Sequence, residues 1–518
     1  MCLWHASESY LKRKKTVPEQ IASRNKWLSR HSTHINFRFV ALVVGNMCLT
    51  ETAFLLLCTF VDLFYGESSS HAFLWTALIM SGLGYLLLVL GKKESKKGQK
   101  SGRREGMLAV TGTWLTLSLI GMLPFVFGGF TETVADAFFE TASGFTTTGA
   151  TIFTSVEQLP HAILLWRSLI QWQGGIGIVL FTLALPQMSG IGGSSLYNAE
   201  STGIKHERFL PRIAEVAQRL WVLYVGITVL LTLLLWAGPM NLFDSLCHAL
   251  TCVSTGGYST RNDGILAYNS AYTEYVITAF MFLGSLNMPL LYIAVFRRQP
   301  KRLLKEEEFR WFFWFVVGFT VITFSWLLLN DIFPGTEETF RKALFQVVSL
   351  MSSTGYVTAD MNLWHPFFFC IGIMMMAVCG CAGSTAGGLK MSRLMVMIKN
   401  LNNEFKKRIH PSMVTNVRFN GKAVDSDVVI QVLAFIFLYL AVIIVGTLAL
   451  CLGGNDFVSS LSDTFSCISN VGPSFGAHSM NFSSAGSLEK IILSLIMLAG
   501  RLEVFTVIGI FVPSFWRK

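Results

Sequence analysis

Four glycines carry the chemistry that is legible first in this sequence. Gly149, Gly257, Gly355 and Gly472 each close a fourteen-residue segment: DAFFETASGFTTTG from Asp136, DSLCHALTCVSTGG from Asp244, KALFQVVSLMSSTG from Lys342 and SSLSDTFSCISNVG from Ser459. Aligned on those glycines, the third column is apolar (Phe138, Leu246, Leu344, Leu461). The eighth column carries a hydroxyl (Ser143, Thr251, Ser349, Ser466), and so does the eleventh (Thr146, Ser254, Ser352, Ser469). A helix that points into a membrane presents the negative end of its macrodipole there, which favours a cation. The extended residues after it can turn carbonyl oxygens toward an axis, and a glycine, lacking Cβ, lets several chains approach closely. Rings of carbonyls that replace an ion's hydration shell are the basis of potassium-selective filters. The candidate ion-binding residues are Thr147, Thr148 and Gly149; Thr255, Gly256 and Gly257; Thr354 and Gly355; and Asn470, Val471 and Gly472. The expected ligand is K⁺, held by backbone oxygens as cargo. A single Thr/Ser/Gly-rich turn is more often a plain connection between helices, but four in register outweigh that reading.

The elements that must position these loops follow from composition. Of 518 residues, 52% are hydrophobic and 14% charged, and the mean hydropathy is +0.52, which places the chain among polytopic membrane proteins. Spans of about twenty apolar residues cross a bilayer. Ten are read: Phe37 to Phe64, Ala72 to Leu90, Met107 to Phe127, His161 to Pro186, Val216 to Trp236, Tyr275 to Phe296, Trp311 to Leu329, Pro366 to Lys399, Val428 to Leu452 and Leu488 to Trp516. The repeat segments fall between spans three and four, five and six, seven and eight, nine and ten, and each is too short to cross. The ten cysteines are scattered, several within apolar runs, and Cys379 and Cys381 lack metal or redox spacing.

The first forty residues are polar and basic, without a cleavable signal peptide, so both termini are expected in the cytoplasm. Counting spans from there puts 35 of the 41 Lys and Arg residues on the cytoplasmic side, as the positive-inside rule demands. The net charge of +10 therefore needs no nucleic acid. The expected fold is all-α: four tandem helix/pore-loop/helix repeats in pseudo-fourfold symmetry, with an added amino-terminal two-helix hairpin. The expected divisions are a cytoplasmic segment at 1–34, the hairpin at 35–105, and repeats at 106–214, 215–309, 310–422 and 423–518. Backbone beyond each dipping helix cannot face lipid and must line a wet, protein-enclosed cavity.

Span eight is anomalous. Its 34 residues would make a helix of about 51 Å against a hydrocarbon core of about 30 Å. Its middle, Gly380, Cys381, Ala382, Gly383, Ser384, Thr385, Ala386, Gly387 and Gly388, is a poor helix interior. A break is expected there, facing a cavity and able to obstruct a pore from below, rather than a small-residue packing face. The near-match to a phosphate-binding loop is rejected because Leu389 separates Gly388 from Lys390. Arg501 lies about twelve residues into the last span, too deep to snorkel, and marks a functional site by default. Arg167 reads instead as an outer-end anchor; Asp136, Glu140, Asp244 and Asp463 read equally as acids able to concentrate cations at the mouth or as pore-helix starts and packing groups, with Asp136 expected to begin its helix, where a carboxylate also caps free N–H groups.

The motifs TTTGAT, STGGYST, SSTGYVT and SNVGPSFG, with QWQGGIGIV, CGCAGSTAGGLK and LAGRLEVFTV, resemble the Trk/Ktr/HKT superfamily of potassium transporters over about residues 35–518. The added hairpin and the closing FVPSFWRK are most similar to its bacterial TrkH branch. The resemblance implies a potassium-channel-like chain, a homodimer with one pore per protomer, and filter glycines at the four positions named. It implies a gate formed by the Gly380–Gly388 stretch, with Arg501 near it as an electrostatic barrier. In the plant branch a serine at the first glycine goes with sodium preference, so Gly149 implies potassium. A separate cytosolic nucleotide-binding subunit of the TrkA type is implied as regulatory partner, with nucleotide on that partner only and membrane lipid around the chain.

The function expected is potassium uptake across a bacterial inner membrane. Alternatives are a proton- or sodium-coupled symporter built on inverted repeats, which would need halves of opposite topology, and a membrane-embedded enzyme, which would need clustered His, Asp or Cys that the dispersed histidines do not supply.

Overall fold

In the computed structural model of the chain, the described residues are 35–92, 102–189, 213–364 and 366–517. The basic amino-terminal segment, residues 93–101 and residues 190–212 lie outside them. The hairpin comprises α1 (Phe37–Tyr65) and α2 (Ser70–Lys92). Then follow α3 (Arg103–Gly121), α4 (Leu123–Phe127), α5 (Val134–Phe145), α6 (His161–Ser189), α7 (Ile213–Trp236), α8 (Leu242–Val253), α9 (Ala271–Gly284) and α10 (Met288–Phe296). The second half holds α11 (Pro300–Lys305), α12 (Glu307–Leu329), α13 (Thr336–Met351), α14 (Pro366–Ala377), α15 (Met391–Ile409), α16 (Ser426–Leu452), α17 (Phe457–Ser469), α18 (Ser487–Arg501), α19 (Val504–Phe511) and α20 (Pro513–Trp516). Two tiny sheets complete it: parallel β1 (Val378–Cys379) with β2 (Leu389–Lys390), and antiparallel β3 (Arg418–Phe419) with β4 (Lys422–Ala423).

Among the described residues, six helical stretches are long and apolar enough to cross a membrane, or eight if two bent pairs count as one span each. Their outward side chains are apolar and uncovered: Phe60 is 66% exposed, Phe437 75% and Ile444 61%. Such surface is stable only in lipid. The short helices α5, α8, α13 and α17 are the reverse. They are 12, 12, 16 and 13 residues long, too short to span, and almost all their residues beyond the first turn are buried inside the protein.

Local sequence explains where the short helices start. Thr133, Asn241 and Asp456 accept from the backbone N–H three residues on, at 3.1, 2.7 and 3.0 Å, satisfying donors a helix start leaves open. Asp136 is thus the third residue of its helix and not the first. The hairpin closes on small residues: a Cβ at Gly45 would lie 2.9 Å from the Gly84 carbonyl oxygen, and one at Gly91 2.5 Å from Leu42. It is fastened to α6 by His161, which stacks on Tyr65 at 4.0 Å between ring centroids and bonds Glu67 at 2.7 Å.

Span eight breaks where expected, between α14 and α15. Spans six and ten, read as continuous, also break: α9 and α10 meet at 108°, α18 and α19 at 112°. In the first, Asn287 caps a new helix through Leu290 N at 3.0 Å, with a proline in its first turn. In the second, Glu503 adopts a left-handed φ of 63°. Asn287-Met-Pro289 was the available signal for the first bend. Nothing comparable marks the second.

Candidate ion-conduction site

Each short helix ends in the same way. Thr147, Thr255, Ser353 and Asn470 take φ of 53°, 55°, 55° and 55°, and two residues later Gly149, Gly257, Gly355 and Gly472 take 85°, 80°, 78° and 102°. The residue between them donates its N–H back to the hydroxylated eighth column of each segment. Thr148 N to Ser143 O is 2.9 Å, Gly256 N to Thr251 O 2.8 Å, Thr354 N to Ser349 O 3.0 Å and Val471 N to Ser466 O 3.0 Å. The left-handed well near 55° admits other residues at some cost, but the glycines, at 78° to 102°, lie beyond it, where a Cβ is strained.

The glycines are required for a second reason. A Cβ on Gly149 would lie 2.2 Å from Gly256 O, one on Gly257 1.9 Å from Thr354 O, one on Gly355 1.9 Å from Val471 O, and one on Gly472 2.4 Å from Thr148 O. The contacts run from the first loop to the second, third and fourth and back to the first. The eleven expected ion-binding residues are thereby brought together, with Ser353 as a twelfth that the sequence reading left out.

Side chains behind the loops hold them. Tyr258 OH donates to Glu140 O at 2.7 Å, and Tyr356 OH donates to His248 O at 3.2 Å; both acceptors are fifth in their segments, so each tyrosine reaches back to the preceding helix. Gln171 donates to Gly256 O at 2.7 Å and accepts from Tyr258 N at 3.1 Å, filling the space where a side chain at Gly256 would sit. Asn470 Nδ2 donates to Thr148 Oγ1 at 3.0 Å.

Arg167 is no outer anchor. It is 2% exposed and donates to Glu140 at 2.8 Å, Ser259 O at 3.2 Å and Thr151 Oγ1 at 3.1 Å, with its guanidinium 4.1 Å over the Tyr258 ring. Glu140 has no exposure and accepts also from Ile152 N at 3.0 Å. The pair therefore splints the stretches after the first and second loops. Replacing Arg167 with Met should cost about 3 to 5 kcal/mol, because it strands a buried carboxylate. Converting Glu140 to Leu as well should recover much of that, read as melting temperature in detergent.

The other acids expected at the mouth are likewise engaged. Asp136 accepts from Lys490 at 2.7 Å, Asp244 from Thr260 at 2.7 Å and Arg261 at 3.0 Å, and Asp463 lies 2.7 Å from His478. The Asp463 bond holds His478 above the ordinary imidazole pKa while burial works the other way. These carboxylates brace loops instead of facing open water.

The expected gating stretch lies against the inner ends of the short helices. Gly380 N donates to Met351 O at 3.0 Å, Cys381 N to Ser285 O at 2.8 Å and Ala382 N to Glu308 Oε1 at 2.9 Å. Asn287 Nδ2 donates to Ala382 O at 2.8 Å, and Gly383 O accepts from Met288 N at 3.1 Å. Ser384 turns its hydroxyl to Cys381 O. Thr385 Oγ1 reaches Val253 O at 3.2 Å and Gly284 O at 3.0 Å, and Gly387 N donates to Ser353 Oγ at 2.8 Å. Ala386 O accepts from Lys390. The glycines divide by need. Gly383 and Gly388 have φ of 73° and 62°, whereas a Cβ on Gly380 or Gly387 would meet Ser285 O at 2.9 Å or Ser469 O at 2.2 Å.

Arg501, 3% exposed, donates to Thr385 O at 2.6 Å and to Gly174 O at 3.1 Å. It ties the unwound stretch to α6. The nearby Glu503 pairs with Arg393 instead. Gly174, Gln171, Asn287 and Glu308 were not singled out from sequence; only the double glycine of QWQGGIGIV pointed toward the first two.

A family model described as TrkH, cation transport protein, matches residues 72–518. The Trk system potassium uptake protein TrkH of Escherichia coli is 35% identical over 488 residues, covering 93% of this chain and 100% of that protein. Its namesake in Halomonas elongata is 33% identical over 489 residues, with the same coverages. The crystal structure of the potassium transporter TrkH from Vibrio parahaemolyticus matches with a TM-score of 0.86 at 31% identity, covering 93% of this chain and 100% of that one. With near-complete coverage in sequence and in structure, this membrane-spanning chain belongs to the TrkH family of Trk-system potassium uptake proteins.

Proposed function

We propose that the chain takes up potassium through a pore on a pseudo-fourfold axis, lined by the four glycine loops and closed from below by Gly380–Gly388 with Arg501. The observation that carries this reading is the cyclic series of contacts from Gly149 through Gly257, Gly355 and Gly472 back to Thr148. Four loops packed this closely can surround one dehydrated cation with carbonyl oxygens, and the ends of four helix dipoles favour it there. The guanidinium of Arg501 opposes a cation electrostatically and is carried by the same bonds that hold Thr385. Uptake would follow a negative-inside potential, worth about 2.3 kcal/mol per charge per 100 mV.

The chain would act in the bacterial inner membrane as a homodimer with cytoplasmic termini. A nucleotide-binding subunit of the TrkA type would dock near the basic end of α15, where Lys406, Lys407 and Arg408 close the helix.

Purified protein in vesicles should admit potassium in preference to sodium, driven by an imposed potential alone. Flux that requires a proton gradient would instead favour the coupled symporter. Equal uptake of the two ions would reject the filter.

A further inference from the structure

Between α10 and α12 the chain carries a basic stretch whose acids are all engaged elsewhere. Residues 297–310 hold six bases, Arg297, Arg298, Lys301, Arg302, Lys305 and Arg310, and three acids, Glu306, Glu307 and Glu308. The acids turn inward. Glu306 accepts from Asn420 Nδ2 in the turn between β3 and β4; Glu307 accepts from Asn420 N at 2.9 Å and pairs with Lys399; Glu308 accepts from Ala382 N and Ser392 N, both at 2.9 Å. All six bases are exposed, and none is in salt-bridge contact with another described residue. The sequence reads as a mixed charge run, but the fold shows the outside mainly its positive half.

This stretch lies where a membrane surface would meet the protein. It runs directly into α12, one of the helices long and apolar enough to cross. Exposed apolar side chains flank it on both sides, with Val295 and Phe296 at the end of α10 and Phe313 and Trp314 in the second turn of α12. Trp314 leaves 66% of its surface open. Tryptophan beside Lys and Arg is the usual composition at headgroup level.

A groove joins the two kinds of surface. It has a volume of about 460 Å³ and is lined by Glu307, Arg310, Trp311, Trp314 and Phe315. Steps of three and four residues put 307, 310, 311 and 314 on one face of α12, so the groove starts at the charged end of the helix and follows it for about 6 Å beyond Arg310 at 1.5 Å per residue. Trp311 and Phe315 stack at 6.1 Å between ring centroids, which fixes its wall. Glu307 is already matched by Lys399, so Arg310 sets the charge at the rim.

We propose that this face is a binding site for an anionic phospholipid, with the phosphate on Arg310 and an acyl chain along Trp311, Trp314 and Phe315. The other five bases draw further anionic headgroups to the stretch, as clusters of four to eight Lys and Arg beside a spanning helix do. A guanidinium suits a phosphate because its N–H groups can pair with two oxygens at once. The apolar end of the groove selects the lipid over a soluble acidic partner. A cytosolic protein could meet the bases, but it could not follow the groove into hydrocarbon. The site stands apart from the conduction reading, and failure of either leaves the other intact.

The test offers the full chain in detergent equal amounts of phosphatidylglycerol and phosphatidylcholine and counts retained lipid by native mass spectrometry. Phosphatidylglycerol should be retained in preference. Arg310→Gln should weaken that retention about fivefold, the effect of one cation at an anionic surface, and Trp314→Ala should weaken it too. Both side chains are exposed, so each variant should elute and melt like the parent when lipid is absent; Arg310→Lys, which keeps the charge, should retain part of the binding. Inorganic phosphate in excess should not displace the lipid. Equal retention of the two lipids overturns the site, as does full retention by Arg310→Gln. Displacement by phosphate alone reduces the site to a simple anion site and overturns the lipid assignment. Polyglutamate that binds with the same dependence on Arg310, while Trp314→Ala leaves phosphatidylglycerol retention unchanged, would assign the face to an acidic protein and overturn the proposal.

Discussion

Serine in place of Gly149 should reduce the preference for potassium over sodium by about tenfold, a change of about 1.4 kcal/mol. Two independent features lead there. Gly149 holds φ at +85°, where a side chain costs on the order of 1 to 3 kcal/mol. Its Cβ would also stand 2.2 Å from Gly256 O, a distance no packing tolerates, so the second loop must retreat. Gly256 cannot move alone, because Gln171 grips its carbonyl and Tyr258 is pinned to Glu140. The ring therefore widens or tilts, and a smaller, more strongly hydrated ion loses less by the change than potassium does. Relative uptake of the two ions into vesicles is the measurement, and an unchanged ratio in folded protein counts against the assignment of these loops as a filter.

Deleting Gly383 to Gly387 should raise basal potassium flux at least about tenfold, as expected when a resting state that leaves the open form a minor population loses its bias. The deletion removes the Met288 N to Gly383 O bond, both Thr385 hydroxyl bonds, the Gly387 N to Ser353 Oγ bond and the Arg501 to Thr385 bond. Each contributes roughly 0.5 to 1.5 kcal/mol. It also removes the backbone beneath the four loops while sparing the loops themselves. Equal or lower flux, in protein that stays monodisperse and inserted in the vesicle, would sink the gate.

Both expectations began in the sequence, though unevenly. The repeats were legible because a short buried helix needs the same apolar column and the same hydroxylated end wherever it recurs. The break in span eight was legible from length, since no bilayer accommodates 34 helical residues without tilt or rupture. Arg167 was misread for an instructive reason. Depth along a span says how costly a charge is, but only the fold brings Glu140, 27 residues away, beside it. The bend at Glu503 was invisible because a left-handed glutamate has no compositional sign; its surroundings impose it.

The sequence by itself determined the membrane class, the four loops and their glycines, because apolar run length and glycine placement are local consequences of lipid and backbone sterics. Only tertiary structure decided who touches whom. It set the cyclic order in which each glycine meets the next loop's carbonyl, the engagement of the outer acids with basic partners, and the turn of α6 whose Gln171 and Gly174 hold Gly256 and Arg501. Those contacts join residues up to several hundred positions apart, and their energies depend on distances of a few ångströms that no local pattern encodes.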